Sequence, residues 1–150
     1  IVTFVLMISL TLGMPTIVLT DVNSLIIGLI GLIILMWAHT SLIGASTLII
    51  GSPSVIVELS SWIIPLVSGM MAPVAKLPEP LKIFALITPF SHPCELIRYG
   101  LLGIETAIPL STEYLLGIAM PTIYAIAGYL MVKKAVNKIK QEGIRTPAMR

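Results

Sequence analysis

Four residues that could carry chemistry lie within seven positions of one another: His92, Cys94, Glu95 and Arg98. A cysteine becomes a nucleophile only beside a base. Two residues that are two apart on a helix do not face each other, so we do not expect His92 to activate Cys94. Glu95 and Arg98 are three apart and can pair on one helix face. The cluster therefore predicts an ion pair and no catalytic site.

No other motif in the sequence predicts catalysis or a bound cofactor. His39 and His92 are 53 residues apart, and neither has a second set of metal ligands around it, so we predict no metal site. The stretch that starts at Gly44 departs at Thr47 from the Gly-x-Ser-Gly loop of intramembrane serine proteases. A phosphate-binding loop and a Gly-x-Ser-x-Gly elbow are both missing from the sequence. We therefore expect the chain not to be an enzyme, and any ATP hydrolysis to occur on a separate subunit.

The composition places these residues in a membrane protein. Of the 150 residues, 57% are hydrophobic and 11% are charged, and the mean hydropathy is +1.04. A soluble domain carries about 25% charged residues, so this chain cannot cover a water-soluble fold with polar side chains. The composition excludes a disordered chain and a nucleic-acid binder. A single cysteine also excludes a disulfide-stapled secreted module.

Uncharged stretches of about 20 residues, the length that crosses a hydrocarbon core, define the predicted spans. Gly51 and Pro53 divide the long uncharged stretch between Asp21 and Glu58. Small residues such as Gly44, Ala45 and Gly128 predict close helix packing. The predicted fold class is all-α, a polytopic transmembrane helical bundle. Its four spans are expected at about 1–20, 24–49, 54–73 and 113–132.

The proline-rich segment after the third span is not predicted to be a further full span. Its apolar side chains would gain roughly 3–5 kcal/mol in the membrane, but Glu95 and Arg98 would cost roughly 5–7 kcal/mol at the centre. Pro89 and Pro93 would also interrupt a continuous helix. We predict instead a re-entrant external hairpin at about 79–103, made of two short helices near 79–88 and 93–103.

Basic residues set the predicted orientation. Six of the nine basic residues follow the last span and, with Glu142, give the segment 133–150 a net charge of +5. By the positive-inside rule this basic tail is cytoplasmic, in a multi-pass protein of the cell membrane. The tail is interpreted either as a charged anchor of topology or as a basic amphipathic helix that continues the last span. Because the chain opens on Ile1 inside an apolar run, we expect an N-terminal part of the protein to precede it.

An ordered set of Gly, Pro and Arg residues runs from Trp62 to Gly103. Its members, in order, are Ser68-Gly69, Pro73, Leu77-Pro78, Thr88-Pro89-Phe90, Arg98 and Leu102-Gly103. Their order and spacing resemble the signature region of ABC type 2 transporter permeases, the membrane subunits of exporters of the daunorubicin and nodulation-factor type. The chain departs from many relatives at the break, where Pro89 is followed by Phe-Ser-His-Pro and not by Leu.

The resemblance implies a function and partners. The chain would hold the third to sixth of six spans and form a pathway for a drug, lipid or glycan-type substrate. It would pair with a second permease copy and with a separate ATP-binding subunit, within the lipid bilayer. Glu58, expected near the cytoplasmic end of its span, is a candidate contact with a partner chain. The residues implied in gating are Gly69, Pro73, Pro78, Pro89, Glu95, Arg98 and Gly103.

Two other classes of protein stay open as alternatives. An ion-coupled secondary transporter would have charged residues at mid-bilayer in paired broken helices. A membrane-embedded enzyme would need a polar constellation, for which the cluster from His92 to Arg98 is the only candidate in the sequence.

Overall fold

Helices account for most of the chain. The computed structural model describes residues 19–50 and 54–142. A short 3₁₀ helix, Val74–Lys76, precedes the third helix. The α-helices are α1 (Val22–Ile50), α2 (Ser54–Val67), α3 (Glu79–Ile87), α4 (Ser91–Leu102) and α5 (Leu110–Glu142). The predicted all-α class is therefore confirmed.

The predicted architecture of four spans with a re-entrant external hairpin is wrong. Within the described residues, two helices are long and apolar enough to cross a membrane, Val22–Ile49 and Leu110–Gln141. The predicted span 54–73 is helical only as far as Val67. Its 14 residues rise about 21 Å, which is short of a hydrocarbon core of about 30 Å. The predicted span 1–20 lies outside the described residues apart from its last two.

The helix boundaries nearer the C-terminus agree in part with those predicted from the sequence. The two short helices predicted on either side of Pro89 are present as α3 and α4. The helix predicted at 113–132 starts three residues earlier and continues to Glu142. Residues 133–142 of the predicted tail are therefore helical, because Lys, Ala, Gln and Glu are good helix formers that nothing interrupts.

The two long helices, α1 and α5, pack side by side and run in the same direction. Near their starts the hydroxyls of Ser24 and Tyr114 lie 2.6 Å apart, and further along His39 Nδ1 lies 3.0 Å from the hydroxyl of Tyr124. A Cβ added at Gly128 would lie 3.0 Å from the carbonyl oxygen of Ala38, so a larger residue would have to push the two helices slightly apart.

The outer faces of these helices are apolar. Large aliphatic side chains on both are more than half exposed, for example Ile33 at 67%, Leu115 at 66% and Ile123 at 62%. Burial of apolar area is favourable by about 25 cal/mol per Å², so an exterior of this kind is costly in water and favourable in lipid. The exposed apolar faces therefore support membrane association of the described bundle.

Candidate functional site

Helix α4 carries three of the six buried polar side chains among the described residues, Ser91, His92 and Glu95, and lies against both long helices. All of its side chains from Ser91 to Leu96 are buried. Close approach to α1 depends on glycines: a Cβ at Gly28 would lie 2.8 Å from the carbonyl oxygen of Pro93. A Cβ at Gly100 would lie 2.8 Å from the carbonyl oxygen of Asp21. Polar side chains of α4 are thus held between helices, where each one needs a partner.

Arg98 and Glu95 form a polar junction with the turn that follows α2. The guanidinium donates hydrogen bonds to the Glu95 carboxylate and to the carbonyl oxygen of Gly69, which is 29 residues away. The backbone N–H of Val74 donates to Glu95 Oε1 at 3.2 Å. Glu95 is 2% exposed, so Arg98 supplies the charge that balances a buried carboxylate. We call these four residues the Arg98 junction.

Gly69 allows the junction to close. Its φ is +73°, a left-handed conformation that side chains rarely adopt. A Cβ here would also lie 3.0 Å from Val74 Cγ2 and 3.3 Å from Glu95 Oε1. The glycine therefore both turns the chain and leaves room for the carboxylate.

His92 connects α4 to two other helices. Its Nε2–H donates to the carbonyl oxygen of Leu86 at 3.1 Å, and its Nδ1 lies 3.2 Å from Oε2 of Glu113 on α5. Both side chains are almost fully buried. The neighbouring Ser91 hydroxyl is shared between the carbonyls of Ala85 and Thr88. Ser91 and His92 thus add side-chain hydrogen bonds to carbonyl groups in the last turn of α3 and the residue after it, of which those of Ala85 and Thr88 also accept backbone N–H groups.

Asp21 caps α1 and contacts α5. Its carboxylate accepts the backbone N–H groups of Asn23 at 3.2 Å and Ser24 at 3.1 Å, as an N-cap does. It also accepts the hydroxyls of Ser24, at 2.5 Å, and of Tyr114. The hydrogen bonds from Ser24 and Tyr114 lower the pKa of Asp21 to about 2. The start of α1 is therefore joined to the start of α5 by an ionised carboxylate.

His39 lies at the edge of a cavity of 310 Å³ between α1 and α2. Its ring contacts Phe90 edge-on with centroids 5.6 Å apart, and it stacks on Tyr124 with centroids 6.3 Å apart. The cavity wall is largely apolar, with a few polar side chains that include Thr40 and Ser61. Such a site fits an amphipathic molecule better than an ion.

The structure brings three of the seven residues implied in gating together and places the other four at helix boundaries. Gly69, Glu95 and Arg98 meet in the Arg98 junction. Four mark breaks: Pro73 precedes the 3₁₀ helix, Pro78 precedes α3, Pro89 lies between α3 and α4, and Gly103 ends α4 with φ +64°. Glu58 is exposed on α2.

Sequence reasoning missed the contacts that join distant residues. His92 and Glu113 are 21 residues apart, and Asp21 and Tyr114 are 93 apart. Neither pair belongs to a motif of fixed spacing, so the sequence alone does not predict these contacts. Within the described residues, no group of three His, Cys, Asp or Glu side chains is placed to hold a metal ion.

Comparison of the chain with protein-family models, with curated proteins and with solved structures finds no match.

Proposed function

We propose that this chain is the membrane-embedded permease subunit of an ATP-binding cassette exporter, driven by a separate ATP-binding subunit. The observation that carries the proposal is the Arg98 junction. Two residues of the ordered Gly, Pro and Arg set, Gly69 and Arg98, share one network with the buried Glu95, although they are 29 residues apart. A permease must pass the motion of its ATP-binding subunit on to the transport path. A polar network that links two segments, such as the Arg98 junction, would do this.

The mechanism assigns separate parts to the two long helices and to α4. Glycine contacts pack α1 against α5 and α4 against α1, so the three helices would move as one body. The Arg98 junction would transmit that motion to the turn after α2. When the ATP-binding subunits close, the body would tilt and change the cavity between α1 and α2. The largely apolar wall of that cavity favours a lipid-like or amphipathic drug-like cargo.

The orientation in this proposal follows from charge. Lys133, Lys134 and Lys138 lie at the C-terminal end of α5, which by the positive-inside rule faces the cytoplasm. Because α1 and α5 run in the same direction, α1 would also end on the cytoplasmic side, and the exposed Glu58 lies early in the helix that follows it. Glu58 would then be within reach of an ATP-binding subunit.

The test is affinity purification of the tagged protein from its native membranes in mild detergent. We expect an ATP-binding cassette subunit to co-purify, with vanadate-sensitive ATPase activity. Arg98→Ala should keep the partner bound but lose ATP-driven transport, and Arg98→Lys should retain part of it. Recovery of no ATP-binding subunit, together with efflux that a protonophore abolishes, would contradict the proposal and favour an ion-coupled transporter.

A further inference from the structure

A basic cleft lies between the C-terminal ends of the two long helices. It has a volume of 590 Å³. Its apolar wall is formed by Ile49 from α1 and Leu130 from α5, and its cationic wall by Lys133, Lys134 and Lys138. An apolar wall thus meets a cationic wall within one cleft, and we call it the lysine cleft.

The position of the lysine cleft along α5 matches the depth of lipid headgroups. The helix has 33 residues and is about 50 Å long, whereas the hydrocarbon core is about 30 Å thick. The residues from Tyr114 to Val132 carry no charge, and Lys133 is the first charged residue after them. The lysines therefore start where the apolar stretch ends, with Leu130 one turn deeper.

Three of the residues that line the lysine cleft are lysines and none is acidic. The ion pairs among the described residues involve Lys82, His92 and Arg98, and none involves a lysine of the cleft. The side chains of Lys134 and Lys138 are four apart on the helix, so they lie on the same face. Two like charges on one face repel each other, and an anion between them would relieve that repulsion.

We propose that the lysine cleft binds the headgroup of one anionic phospholipid. Lys134 and Lys138 would hold the phosphate, and Lys133 would add charge from the other side. The first carbons of an acyl chain would lie against Leu130 and Ile49. The apolar wall is the reason to choose a phospholipid over a soluble phosphate, because a soluble anion would leave that wall without a partner. This proposal does not depend on the exporter function.

The experiment is native mass spectrometry of the purified protein, released from bilayers of phosphatidylcholine that contain a minor fraction of phosphatidylglycerol. We expect one retained phosphatidylglycerol on the wild type. Lys138→Gln should weaken its retention roughly five-fold, the effect of about 1 kcal/mol for one lysine near a charged lipid. The matched control is Lys140→Gln, which removes the same charge two residues away but outside the wall of the cleft.

The possible results separate a defined site from general attraction to charged lipid. Equal loss in Lys138→Gln and Lys140→Gln, or equal retention of the two lipids by the wild type, would overturn the proposal. Displacement of the lipid by inorganic phosphate or glycerol phosphate would also overturn it. Lys138→Arg keeps the positive charge and should retain the lipid. If Lys138→Arg lost the lipid as Lys138→Gln does, the charge at position 138 would not be what holds it.

Discussion

At the scale of single residues, Arg98 is the partner that lets Glu95 remain buried. Removal of one member of a buried ion pair leaves an uncompensated charge, which typically costs 3–5 kcal/mol. We expect Arg98→Ala to lower the free energy of unfolding by about that amount, measured by denaturant unfolding in detergent micelles.

The same variant series contains its own controls. Lys82→Ala breaks a pair that is 4.0 Å long, with the Glu79 side chain 81% exposed, so its effect should stay below about 1 kcal/mol. The double variant Arg98→Ala/Glu95→Gln should recover part of the lost free energy of unfolding, because it no longer buries an unpaired Glu95 carboxylate. Equal effects of Arg98→Ala and Lys82→Ala would contradict the assignment of a buried pair.

Asp21 provides a prediction of pH dependence. Its folded-state pKa is about 2, below the value of 3.8 for a free side chain. The carboxylate therefore favours the folded state above pH 4, and its contribution is lost as the pH falls from about 4 toward 2. The midpoint of thermal unfolding should fall over this range more steeply in the wild type than in Asp21→Asn. Parallel pH profiles of the two proteins would show that the cap contributes no pH-dependent stability.

Sequence spacing predicted some of these residue contacts and not others. The pair of Glu95 and Arg98 follows from a separation of three on a helix, and it is confirmed. The contact of His92 with Glu113 depends on how α4 packs on α5, which no local spacing reports. The same holds for Arg98 and Gly69, since their approach depends on the turn after α2.

At the scale of helices, packing depends on where the glycines lie. Gly100 on α4 faces α1, where a Cβ would meet the carbonyl oxygen of Asp21 and the backbone nitrogen of Leu25, both at 2.8 Å. Gly100→Ala would force the two backbones apart. We expect a loss of about 1–3 kcal/mol, as for other overpacked sites, measured by the same unfolding assay.

Gly44 on α1 is the matched control for this prediction. A Cβ at Gly44 would meet no atom of residues 19–50 or 54–142 within 4 Å, so Gly44→Ala adds a methyl group to space that the described helices leave open. Alanine is the better helix former by about 1 kcal/mol, and this variant should be neutral or more stable. A destabilised Gly44→Ala would contradict an open environment at this part of α1.

The glycines also show how far small residues predict packing. Gly128 and Ala45 lie in close contacts, as their type suggested, whereas Gly44 is exposed and packs against none of the described helices. Small size permits close approach without requiring it. Helix length was also predicted only in part. Residues 54–73 are apolar enough for a span, but the helix ends at Val67, two residues before the left-handed Gly69.

At the scale of the whole molecule, the two long helices should lie in lipid with their outer faces exposed. Trp37 tests this, because it is 60% exposed on α1 and lies about 22 Å from the start of that helix. In a Trp62→Phe variant, Trp37 is the sole tryptophan. Lipids brominated deep in their acyl chains should quench its fluorescence more than lipids brominated near the headgroup.

Quenching of Trp37 by aqueous iodide, without quenching by brominated lipid, would contradict a membrane location for α1. The reciprocal variant, Trp37→Phe, leaves Trp62 as the reporter on the shorter α2, where it is 76% exposed. Comparison of the two variants therefore gives the relative depth of two helices in one bilayer.

The few contacts that hold α3 affect which part of the protein unfolds locally first. Its outer side chains Ile83, Phe84 and Ile87 are 57%, 64% and 67% exposed. Its C-terminal end is held by hydrogen bonds from Ser91 and His92 to three carbonyl groups. A helix with so few buried side chains should exchange its amide hydrogens for deuterium well before α1 does. Loss of the His92 imidazole should speed exchange in α3 further, and also near its contact with Glu113 on α5.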